Sequence, residues 1–538
     1  MYTNASIPMK NFIARANTKL TIGWAASLLS ASFLLSAVLG LLRDRLLFAN
    51  FPAGVTDAYF TAFRIPDFMF VLLVSGALSV TFIPVFAQRY SSGQKESAWQ
   101  VGSSMINLLA VVTFVISLLI FIFAPILINL SGAGLDEDSK QTAAALMRII
   151  AVNPFLFSIS SILSSMQQAV GRFFFNSLAP IIYNIGIIFG ILVLAPALGE
   201  AGEPNILGVA LGVALGSIAQ LVVQLLGMTG LDFKYEFKIF WNNLGFRKVL
   251  RLFPARSFDQ GIDYFITLFE NNLASLFARG AISSYQAALT LRSVPVTIIG
   301  VAISTAAFPR LSERADSTRT DLFRKQLAEL LRIVLWLGLA AVIVAFFMRG
   351  YLVRMLKADG DAVAAGLLGW FTIAILMRAL FHIISKAFYA KHDTKTPLMV
   401  SVVALGVNIV LALALSATMG LNGIAAAQSI VALFEVAALL AIIRNRYGQL
   451  FNWRDTLQMI KMLVAGFVAA SVNYWFVRYL LPLKAADVGF FSLAPKFALI
   501  VSITLVVYVA VSQLLKINEA RPVVRAVAKI IFKPIRLK

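Results

Sequence analysis

Long apolar runs alternate with short polar segments along almost the whole chain. A helix of about twenty apolar residues crosses a bilayer, because the backbone must satisfy its own hydrogen bonds in lipid. About fourteen runs reach that length, so the pattern predicts an all-α polytopic membrane protein. The predicted spans are 20–42, 59–86, 103–130, 142–169, 177–198, 205–229, 258–279, 284–308, 327–349, 363–389, 397–418, 422–443, 458–481 and 492–515.

Composition supports this class. Of 538 residues, 60% are hydrophobic and 13% are charged, whereas a soluble chain has about a quarter charged residues. The net charge of +21 would indicate nucleic acid in a soluble protein, but here the basic residues stand between apolar runs. We therefore expect membrane lipids as partners and no nucleic acid. Cysteine is absent and histidine occurs twice, which excludes a Cys/His metal cluster.

The basic residues also predict an orientation. Lys and Arg are concentrated at 234–256, 310–325 and 516–538, which fall on one side if the spans alternate. Loops rich in Lys and Arg stay in the cytoplasm. We therefore expect both termini to be cytoplasmic.

An internal repeat indicates two related halves. Several anchors recur at an offset near 225 residues, which predicts six-helix lobes at 1–231 and 232–445, two further helices at 446–515 and a basic tail at 516–538. Both lobes have an even number of spans, so a pseudo-two-fold axis along the membrane normal should relate them. The anchors are Arg64, Pro66, Ser79, Pro84 and Asn184 in the first half, and Arg292, Pro295, Ser304, Pro309 and Asn408 in the second.

The second and eighth spans each combine an arginine with proline. Arg64 precedes Pro66, and Arg292 precedes Pro295. Charges inside spans are costly and commonly face a cavity or a partner, and proline bends a helix. The pattern predicts two bent helices that place a cation beside a cleft. The alternative is that each arginine extends to a membrane interface.

The seventh span carries three carboxylates. Spacings of four and seven residues put Asp259, Asp263 and Glu270 on one helix face. This face could line a polar cavity or bind a cation, and Asn408 and Gln428 could add neutral oxygen ligands beside Glu270. Such hard ligands suit Na⁺. Structural pairing among these residues is the alternative.

Two other spans have distinct patterns. Arg378, His382 and Lys386 form one basic face of the tenth span, which could contact an anionic headgroup or pair with the acidic seventh span. Gly208, Gly212 and Gly216 in the sixth span predict close helix packing. In the tail, Arg521, Arg525, Lys529 and Lys533 predict a basic interfacial helix. No GxxxxGK[ST] loop occurs in the sequence, so P-loop ATP hydrolysis is not expected.

Several motifs together resemble a known family. They are LSAVLGLLRDRLLFANFPAGVTDAYFTAFRIPDFMFVLLVSGALSVTFIPVFAQ (35–88), GRFFFNSLAPIIYNIGII (171–188), NNLASLFARGAISSYQAALTLRSVPVTIIGVAISTAAFPRLSE (271–313) and FYAKHDTKTPLMVSVVALGVNIV (388–410). Over essentially the whole chain, these runs are similar to the MurJ (MviN) lipid II flippases of the MOP exporter superfamily.

The resemblance implies a transporter and not an enzyme. It implies export of an undecaprenyl-pyrophosphate-linked peptidoglycan precursor across the bacterial cytoplasmic membrane by alternating access. It also implies a cationic central cavity and a lipid groove formed partly by the last two helices. We expect a monomer without a cofactor, with Na⁺ as a candidate coupling ion and with cell-wall synthesis enzymes as candidate contacts.

Several residues match the family's motifs. Arg43 and Asp44 match its RD pair, Asp57 the acidic residue of TDAF, Arg64 a basic residue before LPN, and Ser283 a serine before the eighth span. In the family's cation site, Glu270 and Asn408 match an acidic residue and an asparagine. With the cations from other spans, the expected substrate-binding set is Arg43, Asp44, Asp57, Arg64, Ser283, Arg292, Arg378 and Lys386.

The chain also departs from the family pattern. Where the family has arginines, this chain has Ala37, Phe70, Val71 and Thr290, and two acidic residues are replaced by Ser75 and Ala412. Arg64, Arg292, Arg378 and Lys386 are our candidates to replace the missing cations. The departures leave two alternatives: a lipid-linked oligosaccharide flippase or a cation-coupled drug antiporter of the same superfamily, and a membrane scaffold that recruits cell-wall enzymes.

Overall fold

The computed structural model describes residues 22–75, 81–200, 202–316, 320–484, 487 and 489–522. Helices form most of this part, and it contains no β-strand. The first ten helices are α1 (Ile22–Asn50), α2 (Ala53–Phe70), α3 (Ile83–Ser91), α4 (Lys95–Ser131), α5 (Glu137–Ile150), α6 (Asn153–Ala169), α7 (Phe174–Phe189), α8 (Ala195–Ala197), α9 (Ile206–Gly227) and α10 (Leu244–Ser275).

The remaining helices continue the same architecture. They are α11 (Ala281–Pro295), α12 (Ala302–Asp316), α13 (Thr320–Phe347), α14 (Arg349–Leu356), α15 (Ala362–Ala390), α16 (Lys395–Met419), α17 (Leu421–Tyr447), α18 (Trp453–Trp475) and α19 (Phe490–Leu514). Among the described residues, π-helical turns that interrupt or end helices include π1 (Val71–Ser75), π2 (Gly190–Leu194), π3 (Val296–Val301) and π4 (Phe476–Leu480).

The predicted class is confirmed: the chain is an all-α polytopic membrane protein. Each predicted span overlaps a helix or a pair of consecutive helices. Within the described residues, eleven helical segments are long and apolar enough to cross a membrane. The other three predicted spans lie in α1, in α2 with α3, and in α10, so the number fourteen stays a prediction.

The chain divides into two compact units, residues 1–283 and 284–538. In the first unit, α10 packs against α2, π1 and α4. An aromatic core including Phe82, Phe86 and Trp99 joins α3 to α4. The lobe boundary predicted at 231/232 came from the sequence repeat and not from compactness, and it stays a prediction.

In the second unit, α13 holds the last two long helices. The Trp336 ring stacks on Tyr508 of α19 at 5.4 Å, and its indole N–H donates to Ser512 at 3.1 Å. Arg332 forms ion pairs with Asp455 of α18 and with Glu519, which follows α19. Aromatic stacking and partly buried ion pairs therefore attach α18 and α19 to α13.

The predicted bent helices both contain a π-helical turn. π1 follows Pro66, π3 follows Pro295 directly, and the two turns begin 225 residues apart. Such turns are rare and mark local distortions of a helix. At Gly300 in π3, an added Cβ would lie 2.7 Å from Ala379 Cα, so glycine permits close contact with α15. The repeat anchor Ser79 lies outside the described residues.

The glycine stripe of the sixth span is confirmed as a packing surface. An added Cβ at Gly208 would lie 2.4 Å from the Ala195 backbone, and one at Gly212 would lie 2.4 Å from Gly190 Cα. Because glycine has no side chain, α9 approaches α7, π2 and α8 closely. The predicted basic tail falls mostly on residues 523–538, which lie outside the described part of the chain.

Candidate functional site

Arg64 of α2 is oriented by a neutral amide. Its Nε donates to Asn271 Oδ1 of α10 at 2.9 Å. The Asn271 side chain is fully buried and donates in turn to Thr61 Oγ1 at 3.2 Å and to the Ser131 carbonyl at 2.9 Å. We call these four residues the Arg64 centre. Because both donors of Asn271 are engaged, its oxygen is fixed toward the guanidinium group.

The matched pair Arg43 and Asp44 forms a second centre in the same unit. The two side chains form a salt bridge at 2.7 Å, and Asp44 is buried. Arg43 Nη1 also donates to Asn184 Oδ1 of α7 at 3.2 Å, and Asn184 donates to Ser36 Oγ at 3.2 Å. The structure therefore brings together the RD pair and the repeat anchor Asn184.

Asp57 and Ser283, two predicted substrate-binding residues, contact each other. The buried Asp57 carboxylate accepts the backbone N–H groups of Gly280 and Ser283, both at 2.6 Å. These donors lie at the start of α11, where the helix dipole favours a negative charge. Gly280 has a φ of +93°, which glycine adopts readily. In this structure Asp57 caps the helix that carries Arg292.

Arg292 lies in a cluster of the second unit that we call the Arg292 centre. Its Nη1 donates to Gln428 Oε1 of α17, and its guanidinium carbon lies 4.7 Å from the Phe371 ring centroid. Gln428 Nε2 donates to Tyr285 Oη at 2.9 Å. The oxygen that we predicted as a Na⁺ ligand is thus engaged by the arginine in this structure.

Arg378 of α15 pairs with a carboxylate that the sequence analysis missed. Its Nη1 lies 3.1 Å from Glu435 Oε2 of α17, and Ser401 Oγ donates to Glu435 Oε1 at 3.3 Å. Glu435 is buried. The two alternatives given for Arg378, an anionic headgroup and the acidic seventh span, did not name Glu435, and both stay predictions. A single carboxylate in an apolar run was the available signal.

Lys386 of the same basic face has an aromatic neighbour. Its Nζ lies 5.2 Å from the Phe308 ring centroid, within the range of a cation–π interaction. The side chain is half-buried. The cation therefore rests against an apolar ring of α12.

The predicted acidic face of the seventh span has two different environments. Asp263 is exposed, whereas Glu270 is fully buried; the Asp259 side chain lies outside what the structure describes. The predicted acidic face therefore includes one carboxylate that is exposed and one that is buried. Asn408 is also buried, and its Oδ1 accepts no hydrogen bond within the described residues. The Na⁺ site stays a prediction.

Two of the positions that depart from the family pattern contact uncharged side chains. Phe70 packs its ring on Phe157 at 5.4 Å. Thr290 Oγ1 accepts a hydrogen bond from Gln286 Nε2 at 3.4 Å. At Phe70, where the family has an arginine, the side chain therefore contributes to apolar packing.

Two carboxylates outside the spans have lowered pKa values. The Ser139 backbone N–H donates to Asp136 at 2.8 Å and, with the Ser139 hydroxyl and Arg279, lowers the pKa of Asp136. Burial alone would raise the pKa of Asp361, but hydrogen bonds from Lys357, Ser284 and the Ala364 N–H lower it overall. Both carboxylates cap helices.

The chain is similar in sequence and in fold to lipid II flippases. A relative from Vibrio cholerae serotype O1, named a probable lipid II flippase MurJ, is 27% identical over 83% of this chain and 88% of its own length. A solved lipid II flippase MurJ in an inward closed conformation has a TM-score of 0.76 at 23% identity, over 90% of this chain and 98% of that one.

A wider likeness extends to another transporter family. An inward-facing multidrug resistance MATE transporter of the MOP superfamily has a TM-score of 0.62 at 13% identity, over 80% of this chain and 96% of that one. At this identity the likeness shows the fold alone. The family model described as lipid II flippase MurJ matches residues 47–493. That match covers most of the chain, which therefore belongs to the lipid II flippase MurJ family, a family of transporters and not of enzymes.

Proposed function

We propose that this chain translocates lipid II from the cytoplasmic to the outer leaflet of a bacterial cytoplasmic membrane by alternating access. The observation that carries the proposal is family membership over residues 47–493. Arginines in several helices provide the chemistry for an anionic lipid substrate. The alternating-access step is inferred from the family resemblance.

The arginine centres suit recognition of a diphosphate. A guanidinium group binds phosphate oxygens through paired N–H donors. Asn271 and Gln428 contact Arg64 and Arg292 through amide oxygens, which carry no charge and help to orient each guanidinium group. These two arginines are our leading substrate contacts. Arg378 would have to leave Glu435 before it could bind an anion.

Na⁺ is our proposed coupling ion, with Glu270, Asn408 and Gln428 as ligands. Glu270 is a buried carboxylate, and Asn408 has a buried oxygen with accepting capacity. Gln428 would have to exchange Arg292 for the ion. Transport measured in Na⁺ and in K⁺ buffers, for the native chain and for N408L, tests this: a Na⁺ stimulation that N408L abolishes supports it, and equal rates contradict it.

The proposed topology places both termini in the cytoplasm and the last two helices beside the lipid tail. Its support is the distribution of Lys and Arg. Because the chain contains no cysteine, single introduced cysteines report accessibility without background. Labelling of residue 138 from outside and of residue 234 only after permeabilisation is expected; the reverse pattern contradicts the orientation. A monomer, with contacts to cell-wall synthesis enzymes, is part of the same proposal.

Lipid II translocation in proteoliposomes tests the main proposal. The native chain should move lipid II to the opposite leaflet, and R64Q and R292Q should each slow it about tenfold, which corresponds to roughly 1.4 kcal/mol of lost interaction. The matched control is R148Q, because Arg148 is exposed in α5. Absence of movement with the native, folded chain would contradict the function.

A cation-coupled antiporter is the second candidate. The replacement of family arginines by Ala37, Phe70 and Thr290 favours it, and the MATE-like fold is compatible with it. The same proteoliposomes would then exchange small organic cations for Na⁺ or H⁺. Such exchange without lipid II movement would select the antiporter.

A further inference from the structure

The first unit contains a polar cavity that none of the arginine centres uses. Its volume is about 280 Å³, and its walls come from α1, α6, α7 and α9. Six serines and four asparagine or glutamine residues are among its fourteen lining residues, and none of the fourteen is charged. α6, α7 and α9 belong to candidate membrane spans. Polar groups are thus concentrated at a place where apolar side chains would be expected.

Part of the lining forms a connected hydrogen-bond chain. Gln168 Nε2 donates to Ser164 Oγ at 3.2 Å, and Ser164 Oγ donates to Asn176 Oδ1. This leaves the Asn176 amide donors and the Gln168 oxygen available toward the cavity. Donors and acceptors therefore alternate along one wall.

Three other lining side chains lack a hydrogen-bond partner among the residues that the structure describes. Ser161, Ser165 and Gln220 line the cavity and make no side-chain hydrogen bond within the described residues. Ser165 is buried. These polar side chains line the cavity and are suited to a ligand that brings its own hydroxyl or amide groups.

Charge and size restrict the ligand. Because the lining residues carry no charge, a phosphate, carboxylate or ammonium group would lose its hydration without gaining a counter-charge. The volume lies at the small end of ligand sites and accommodates one ring. Phe33, which is 63% exposed, adds an aromatic surface to the wall.

We infer that this cavity binds one uncharged pyranose ring. The ring's hydroxyl groups both donate and accept hydrogen bonds and would match the serine and amide side chains, while its C–H face would meet Phe33. Assigning the ring to a lipid-linked sugar rests on the proposed function. A free sugar has the same chemistry.

Saturation-transfer NMR on the full chain in nanodiscs tests the site, with methyl N-acetyl-β-D-glucosaminide as the probe. The native chain should transfer saturation to the ring protons. The double variant S161A/S165A and the variant Q220L should each weaken binding about tenfold, since each removes ligand hydrogen bonds. S117A is the matched control, because Ser117 is a buried serine of the same unit that lies outside the cavity and has no hydrogen-bond partner for its hydroxyl among the described residues.

Thermal unfolding of each variant separates binding from folding. Loss of the probe signal in a variant that unfolds like S117A supports the site. Native-like binding by both folded variants, or no saturation transfer to the native chain, would overturn it.

A competition arm identifies the source of the ring. Displacement of the probe by lipid II assigns the site to the lipid-linked sugar, and binding without displacement assigns it to a soluble sugar. Lipid II movement by the same preparation is measured in parallel. Movement without probe binding refutes the cavity site alone, whereas probe binding without movement refutes the proposed function alone.

Discussion

The Arg64 centre and the Arg378 ion pair hold a cation in opposite ways. In the first unit, Arg64 donates to the amide oxygen of Asn271 at 2.9 Å. In the second unit, Arg378 lies 3.1 Å from the carboxylate of Glu435. Asn271 and Glu435 are both buried. These two sites therefore use different chemistry to orient an arginine.

The difference affects what each arginine can bind. An amide oxygen fixes the direction of a guanidinium group but leaves the charge of that pair positive, whereas a carboxylate cancels it. A substrate anion can bind Arg64 while the neutral amide of Asn271 stays in place. At Arg378 it must compete with Glu435. We expect Arg64 to contribute to anion binding and the Arg378 pair to contribute mainly to stability.

Removing Glu435 should have the largest effect on the free energy of unfolding. The variant E435A leaves Arg378 partly buried without its carboxylate, and loss of one partner of a buried ion pair costs about 3–5 kcal/mol. We expect a decrease at the lower end of that range in the free energy of unfolding, measured by denaturant titration in detergent micelles. The control S401A removes only a 3.3 Å hydrogen bond to Glu435 and should cost less.

The double variant R378M/E435L checks the cause. Replacing a buried pair by apolar residues of similar volume is often close to neutral. The double variant should therefore recover much of the free energy of unfolding that is lost in E435A. Equal destabilisation of the single and double variants would contradict the charge-pairing explanation.

Asp57 is a carboxylate whose hydrogen-bond partners are uncharged N–H groups. D57A leaves two buried donors without an acceptor at the start of α11 and should lower the free energy of unfolding by about 2 kcal/mol. D138A, in the exposed first turn of α5, is the control and should change it by less than about 0.5 kcal/mol. Equal effects would show that the cap on α11 contributes little.

Converting the Arg64 centre into a charged pair tests the comparison directly. N271D would place a carboxylate against Arg64, as Glu435 is placed against Arg378. We expect lipid II movement to slow about tenfold, because the substrate anion must then compete with the added carboxylate at position 271. N272D, at the neighbouring position, is the control. Native-like transport by folded N271D would mean that Arg64 does not need its charge for anion binding.

Changing Asp136 should have the smallest effect on stability, and that effect should depend on pH. Its pKa is lowered in the folded chain, first by the Ser139 backbone N–H, so its stabilisation is present above the unfolded pKa of about 3.9 and is lost as pH falls through the folded value. Hydrogen exchange in the first turn of α5 should rise below about pH 4 relative to its intrinsic rate. D136N should remove that dependence; an unchanged dependence would assign it to another group.

The sequence was sufficient for several features of the site. The match to family motifs selected Arg43 with Asp44 and Asp57 with Ser283, and the structure brings the members of each pair into contact. The repeat selected Asn184, which contacts Arg43. The sequence did not reveal Glu435 as the partner of Arg378, because one carboxylate in an apolar run does not identify which helix it faces.

The all-α membrane class was determined by sequence alone, because the free energy of placing a helix in lipid is nearly a sum over its own residues. Tertiary structure decided which partner each arginine meets. Arg64 and Asn271 are 207 positions apart, and their contact depends on how α2 and α10 are rotated and packed. Those rotations result from many weak side-chain contacts across helices, which no local pattern specifies.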